Sequence, residues 1–203
     1  MPIVAIVGQW RSGTSLVAQI VNRLGYHAAP TITAPCPPTW RSDWEDLDFT
    51  VPLMRRKKID WDCYLEMRIN VSAALGFGGD IAIKSPYLAL VWDEFLDAVQ
   101  PDHIIQTTRE DEECERSLKH QPLDVKLYRK DIDKIRKVDK ALWVTCFARH
   151  MKMLDIPYED IITHPVGLTS DIAEFINKGT DPETIKAASK LIGKPTEYKT
   201  CPQ

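Results

Sequence analysis

Five consecutive apolar residues, Ile3-Val4-Ala5-Ile6-Val7, precede Gly8-Gln9-Trp10-Arg11-Ser12-Gly13, and a helical pattern then runs from Ser15 to Leu24. An unbroken apolar run of this length suits a strand covered on both faces, as in a parallel sheet. Two more such runs follow: Asp80-Ile81-Ala82-Ile83 leading to Lys84, and His103-Ile104-Ile105-Gln106-Thr107-Thr108 leading to Arg109. Helical patterns cover Leu90–Val99, Asp111–His120 and one long stretch from about Asp131 to Met153, with further helices near residues 50 to 75. Val166–Asn177 and Pro182–Ile192 read as a short amphipathic helical pair. Strands alternating with helices predict an α/β fold with a central, doubly wound parallel sheet. Such sheets bind ligands beyond the carboxyl ends of their strands. Arg11, Lys84 and Arg109 each follow a predicted strand at that end, so the pattern predicts one shared site.

The first strand-loop-helix is an anion cradle on physical grounds. A helix's first turn leaves N–H groups without partners and carries the positive end of the helix dipole. Gly8 and Gly13 let the backbone turn and approach a ligand, while Thr14 and Ser15 add hydroxyls at the helix start. The loop departs from the Walker A pattern GxxxxGK[ST], because position 14 is threonine where that motif has lysine. Arg11 is its only cation, and a guanidinium fork suits oxyanions. The expected fold class is therefore P-loop-like, a three-layer α/β/α sandwich.

At 203 residues the chain fits one domain spanning 1–203. A net charge of −3 offers no general attraction to nucleic acid or to an anionic membrane, so neither is an expected partner and an anion site must be local. Cys36, Cys63, Cys114, Cys146 and Cys201 are scattered, with no CxxC pair, which suits a reduced, cytoplasmic setting. Ile3–Val7 is too short for a signal-peptide core or a membrane span. Pro30, Pro35, Pro37 and Pro38 suit an extended loop or lid. Arg55-Arg56-Lys57-Lys58 and the alternating charges from Lys126 to Lys140 read as solvated helix faces. His27, His103, His120, His150 and His164 have no supporting motif and read as surface or packing residues.

From Ile104 the chain reads IIQTTREDEECERSL, with Ser117 eight residues after Arg109. A strand-terminal arginine and a hydroxyl in the next helix can grip a second anion from two sides. Together with Arg11-Ser12-Gly13-Thr14-Ser15, this pair resembles the two nucleotide-binding elements of sulfotransferases that use 3′-phosphoadenosine 5′-phosphosulfate (PAPS). Gly25-Tyr26, Trp44-Glu45-Asp46-Leu47-Asp48-Phe49, Lys84-Ser85-Pro86, Tyr158-Glu159-Asp160-Ile161-Ile162 and Ala173-Glu174-Phe175-Ile176 follow in the family's order. The resemblance spans about residue 3 to residue 177 and is nearest to short bacterial or phage-type members. The histidine that acts as base in the longer animal enzymes has no match, because position 86 is proline. Their C-terminal glycine and basic motif is also missing, which leaves Lys190, Lys194 or Lys199 to take its place.

The resemblance implies that Arg11, Ser12, Gly13, Thr14 and Ser15 hold the 5′-phosphosulfate and Arg109 with Ser117 the 3′-phosphate, with Tyr158 near the adenine. It implies PAPS as co-substrate, no metal, and transfer of a sulfuryl group to a hydroxyl or amine on a small molecule, glycan or peptide. Arg11 and Lys84 would stabilise charge in that transfer and Glu45 would be the base, with Asp46 and Asp43 as alternatives. Two other readings stay open: an atypical P-loop kinase or NTPase, which would depend on magnesium, and a catalytically silent nucleotide-binding protein.

Overall fold

The computed structural model describes residues 1–28, 46–54, 57–119, 125–179 and 181–192. Its sheet comprises β1 (Ile3–Val7), β2 (Ile81–Lys84), β3 (His103–Thr108) and β4 (Met153–Pro157), in the order β2-β1-β3-β4. Every pairing is parallel, with Ile6 opposite both Lys84 and Ile105, and Thr108 opposite Pro157. The carboxyl ends of the strands therefore share one edge of the sheet, as the positions of Arg11, Lys84 and Arg109 require.

Helices cover both faces. On one side α1 (Thr14–Arg23), α9 (Pro165–Phe175) and α10 (Pro182–Ser189) bury Val17, Ile20, Ile172 and Ile185 against Val4, Ile6 and Ile105. On the other, α3 (Trp61–Ala74), α4 (Trp92–Val99) and α7 (Leu142–Ala148) pack Trp61, Phe95 and Leu142 against Ala5, Val7 and Ile104. Adjacent residues of β1 thus enter opposite cores, which is why no polar position interrupts the run. The result is the expected three-layer α/β/α fold with a parallel sheet.

The remaining helices are α2 (Leu47–Met54), α5 (Asp111–Leu118), α6 (Val125–Asp139) and α8 (Tyr158–Thr163), with a 3₁₀ turn at Pro86–Val91. Local signals set several ends. Asp60 caps α3 by accepting from the Cys63 N–H at 3.1 Å, and Asp181 caps α10 by accepting from the Thr184 N–H at 2.8 Å. Pro165 and Pro182 occupy first-turn positions, where proline's missing N–H costs nothing.

The single helix expected from about Asp131 to Met153 is instead α6, α7 and the start of β4. The chain leaves α6 through a tight turn, with the Ala141 N–H on the Val138 carbonyl at 2.8 Å. It leaves α7 at His150, whose φ is 53°. β4 carries little apolar signal because little of it is buried: only Ile156 is fully buried, Asp155 interrupts it and Pro157 ends it. The helix expected to reach His120 ends at Leu118. Lys57 and Lys58 are exposed but lie between α2 and α3, off any helix. The proline-rich segment, Arg55, Arg56 and His120 lie outside the described residues.

His27 and His103 are packing residues. Burial, reinforced by the nearby Arg68 charge, pushes His27 down to about 4, and burial with Lys152 also lowers His103. Among the described residues, Cys63, Cys114 and Cys146 are free thiols, and no helix is long and apolar enough to cross a membrane.

Candidate anion site at the carboxyl edge of the sheet

The loop between β1 and α1 takes left-handed backbone at three points: Gly8 (φ 151°), Arg11 (φ 70°) and Gly13 (φ 102°). Turns built on such residues can present main-chain N–H groups as a concavity for an anion. Thr14 opens α1 with an N–H that has no intrahelical acceptor, which adds the helix terminus to the same concavity. Ser12 is fully buried: its hydroxyl donates to the Gln9 carbonyl at 2.7 Å and meets Thr107 Oγ1 at 2.7 Å. That side chain pins the loop to β3, and the Ser12 N–H also donates to the Gln9 carbonyl at 3.2 Å, so Ser12 shapes the loop with both of its donors engaged inside the protein.

Arg11 is the loop's non-glycine residue at positive φ, a conformation costing about 1–2 kcal/mol that persists only where surrounding contacts hold it. Both ends of the residue are held. Its carbonyl accepts from Arg109 Nη1 at 3.1 Å, and its Nε donates to Ser117 Oγ at 3.0 Å. Arg109 is further fixed by Glu113 Oε2 at 3.0 Å and by the Tyr158 ring, whose centroid lies 3.9 Å from its Cζ. The same ring packs on Gly13, where an added Cβ would lie 2.8 Å from Tyr158 Cδ2. Lys84, at the end of β2, is only 3% exposed, and its Nζ reaches Ser15 Oγ at 3.3 Å.

Arg11, Ser12, Gly13, Thr14, Ser15, Lys84, Arg109, Ser117 and Tyr158 thus surround one loop. Glu45, with Asp43, lies outside the described residues, as do Lys194 and Lys199; Asp46 is described and is buried in an ion pair with Arg68. Among the described residues no cluster of three or more His, Cys, Asp or Glu is placed to hold a metal ion.

A support for the loop escapes sequence reading. Gln9 Nε2 donates to the Arg109 carbonyl at 2.9 Å and to Asp111 Oδ1 at 3.1 Å, while Gln9 Oε1 accepts from Arg136 Nε at 3.0 Å. Arg136 also meets Glu115 at 2.9 Å, and Lys140 meets Asp111 at 2.7 Å. Burial opposes ionisation of Asp111, but hydrogen bonds from Lys140 and Gln9 and the charges of Lys140 and Arg136 hold it below the usual carboxylate range. One buried amide therefore joins the loops after β1 and β3 to α6. Replacing Gln9 by alanine is expected to cost about 1–2 kcal/mol, since it leaves buried partners unsatisfied. Urea denaturation measures this, and a change below about 0.3 kcal/mol would mean the amide carries no net weight.

No protein-family model and no curated protein sequence matches the chain. Among solved structures, the sulfotransferase domain of the Synechococcus PCC 7002 olefin synthase superposes with a TM-score of 0.58 at 15% identity, over 91% of this chain and 76% of that one. Sulfotransferase STF1 from Mycobacterium tuberculosis H37Rv gives 0.55 at 14% identity, over 93% of this chain and 70% of that one. At these identities the likeness is one of fold, and the fold is that of sulfotransferase domains.

Proposed function

We propose that this protein is a sulfotransferase that moves the sulfuryl group of PAPS to a hydroxyl or amine of a small-molecule, glycan or peptide acceptor. The observation that carries the reading is the meeting of two anion grips through Arg11. Its backbone shapes the loop at the start of α1 while its side chain reaches Ser117, and Arg109 holds its carbonyl. A nucleotide with phosphate groups at both its 3′ and 5′ positions presents two anions to such a pair. The fold neighbours support the same class of chemistry.

In the proposed reaction the acceptor oxygen or nitrogen bonds to sulfur as the bond from sulfur to the phosphate oxygen breaks, and 3′-phosphoadenosine 5′-phosphate (PAP) departs. Charge grows on the leaving oxygen and spreads over the sulfuryl oxygens, by analogy with phosphoryl transfer. Lys84 and the loop amides supply pre-placed positive charge and donors for it, and Arg11 adds its own charge by turning from Ser117 toward the loop. Glu45 takes the acceptor's proton in this scheme. Tyr158 supports Arg109 and lines the nucleoside end.

Calorimetry with PAP and with ATP, without and with Mg²⁺, tests the reading. PAP binding without metal, at least about tenfold tighter than ATP, is expected. Preference for ATP with magnesium dependence would favour a kinase or NTPase and overturn it. Turnover of PAPS then separates an enzyme from a silent binder. Arg109→Met is expected to weaken PAP about 10- to 100-fold, the worth of a lost charge-assisted contact to phosphate, and AMP by less than about threefold. Equal losses for the two nucleotides would remove Arg109 from the 3′-phosphate.

A further inference from the structure

β2 is an edge strand, and its outward main-chain groups belong to Ala82 and Lys84. Exposed edges of this kind need partners or cover. Among the described residues, three separate pieces of chain bond to this edge. The Ala82 N–H donates to the His27 carbonyl at 3.1 Å, the Ala82 carbonyl accepts from Arg68 Nη2 at 3.1 Å, and the Lys84 carbonyl accepts from the Asp46 N–H at 2.8 Å. Arg68 Nη2 also donates to the His27 carbonyl at 3.1 Å.

The two side chains in this arrangement are themselves an ion pair. Arg68 is 0% exposed and Asp46 3%, with Arg68 Nε 3.1 Å from Asp46 Oδ2, and Tyr64 Oη donates to the same oxygen at 2.7 Å. Next along the chain, Thr50 packs the start of α2 on Ser85, with Oγ to Oγ at 2.7 Å. Burying two charges is a poor route to stability, because desolvation consumes most of the Coulombic gain and an apolar pair of similar volume often serves as well. What the pair does provide is register. The guanidinium is bonded to β2, to residue 27 and to Asp46 at once, and Asp46 is bonded in turn to the main chain of Lys84.

We propose that the buried Arg68–Asp46 pair is a positioning device for Lys84, holding its ammonium group at the α1 terminus where the sulfuryl group would lie. The inference rests on the sulfotransferase reading and deepens it, assigning roles to two residues that touch no substrate. Lys84 Nζ lies on Ser15 at the α1 terminus, which the sulfotransferase reading gives to the transferred group, so on that reading loss of its positioning is felt by PAPS and scarcely by PAP. An interaction exerted through Lys84 also vanishes once Lys84 is gone.

A double-mutant cycle reads this directly. Calorimetric Kd values for PAPS and PAP are measured on the intact protein and on Lys84→Met, Arg68→Met and the combined variant. Each single variant is expected to weaken PAPS about tenfold and PAP less than about threefold, and the combined variant is expected to bind PAPS no more weakly than Lys84→Met alone. Losses that multiply in the combined variant, or that are equal for PAP and PAPS, would show a merely structural pair and overturn the proposal. If Arg68→Met melts too low to assay, Arg68→Met/Asp46→Leu, which removes both buried charges, takes its place in the cycle. An unmodified protein that binds neither PAP nor PAPS refutes the sulfotransferase reading, and this proposal with it. Nucleotide binding with a multiplicative cycle refutes the positioning role alone.

Discussion

Gly8→Ala is expected to destabilise the protein by about 3–5 kcal/mol, the sum of backbone strain and overpacking in a close-packed site. Gly8 has a φ of 151°, and an added Cβ would lie 2.5 Å from Thr107 Oγ1, 2.6 Å from Ser12 Oγ and 2.6 Å from the Thr107 carbonyl oxygen. A side chain can rotate away, but the carbonyl belongs to β3 and cannot move without breaking the pairing of β3 with β1. Relief would have to come from the loop, and the Ser12 bonds to Gln9 and Thr107 tie that loop to the strand. Gly76 is the internal control: its φ is 86° and nothing lies within 4 Å of an added Cβ. Alanine there carries only the left-handed penalty of about 1–2 kcal/mol. Urea denaturation of the two variants checks this, and equal losses would show that crowding against Thr107 is not the cause.

Asp139→Asn is expected to change the pH dependence of stability almost as much. Asp139 ends α6 at 4% exposure, with Oδ1 lacking a hydrogen-bond partner among the described residues. Burial pushes its carboxyl up to about 7 against the hydrogen bonds from Gln9 and Gln106, with the charges of Asp155 and Asp111 adding to the rise. An unfolded aspartate titrates near 3.9, so between about pH 4 and pH 7 the folded chain keeps a proton that the unfolded chain has released. This contribution to stability is full below the unfolded value and is lost as pH rises through the folded one. It falls by about 1.4 kcal/mol per pH unit, on the order of 4 kcal/mol in all, and is flat beyond. Asparagine cannot titrate, so the variant should match the parent near pH 4 and exceed it at pH 8. Denaturant midpoints at the two pH values decide the matter, and a difference independent of pH would mean that Asp139 is not protonated in the folded chain. Because α6 also sends Arg136 to Gln9, loosening its end at high pH should be felt at the anion loop.

The depth at which a strand or side chain is buried decides how plainly it shows in the sequence. The three runs at Ile3–Val7, Ile81–Lys84 and His103–Thr108 were legible because a strand buried on both faces cannot hide its composition. β4 was not, because a strand with one fully buried residue carries too little apolar signal to compete with the helical pattern before it. Arg136 and Lys140 lie in the stretch read as a solvated face, yet Arg136 reaches the Gln9 amide. Buried and exposed arginines look alike in a charged helix, and only the depth of the neighbouring loop separates them. Arg68 offers the same lesson, since nothing around it in α3 marks it as fully buried.

Strand, glycine loop and helix start between residues 3 and 23, the cations that follow three strands, and the α/β class were set by the chain alone. Each depends on neighbours in sequence, through backbone sterics, apolar periodicity and the orphan amides of a helix terminus. The tertiary structure decided which of these groups meet. It turned Arg11 to Ser117, laid Arg109 on Tyr158, bound Gln9 to α6 and set Arg68 and Asp46 on the edge of β2. Those contacts join residues far apart along the chain, and the packing of helices on the sheet fixes both their distances and their exclusion from water. No local pattern encodes either quantity.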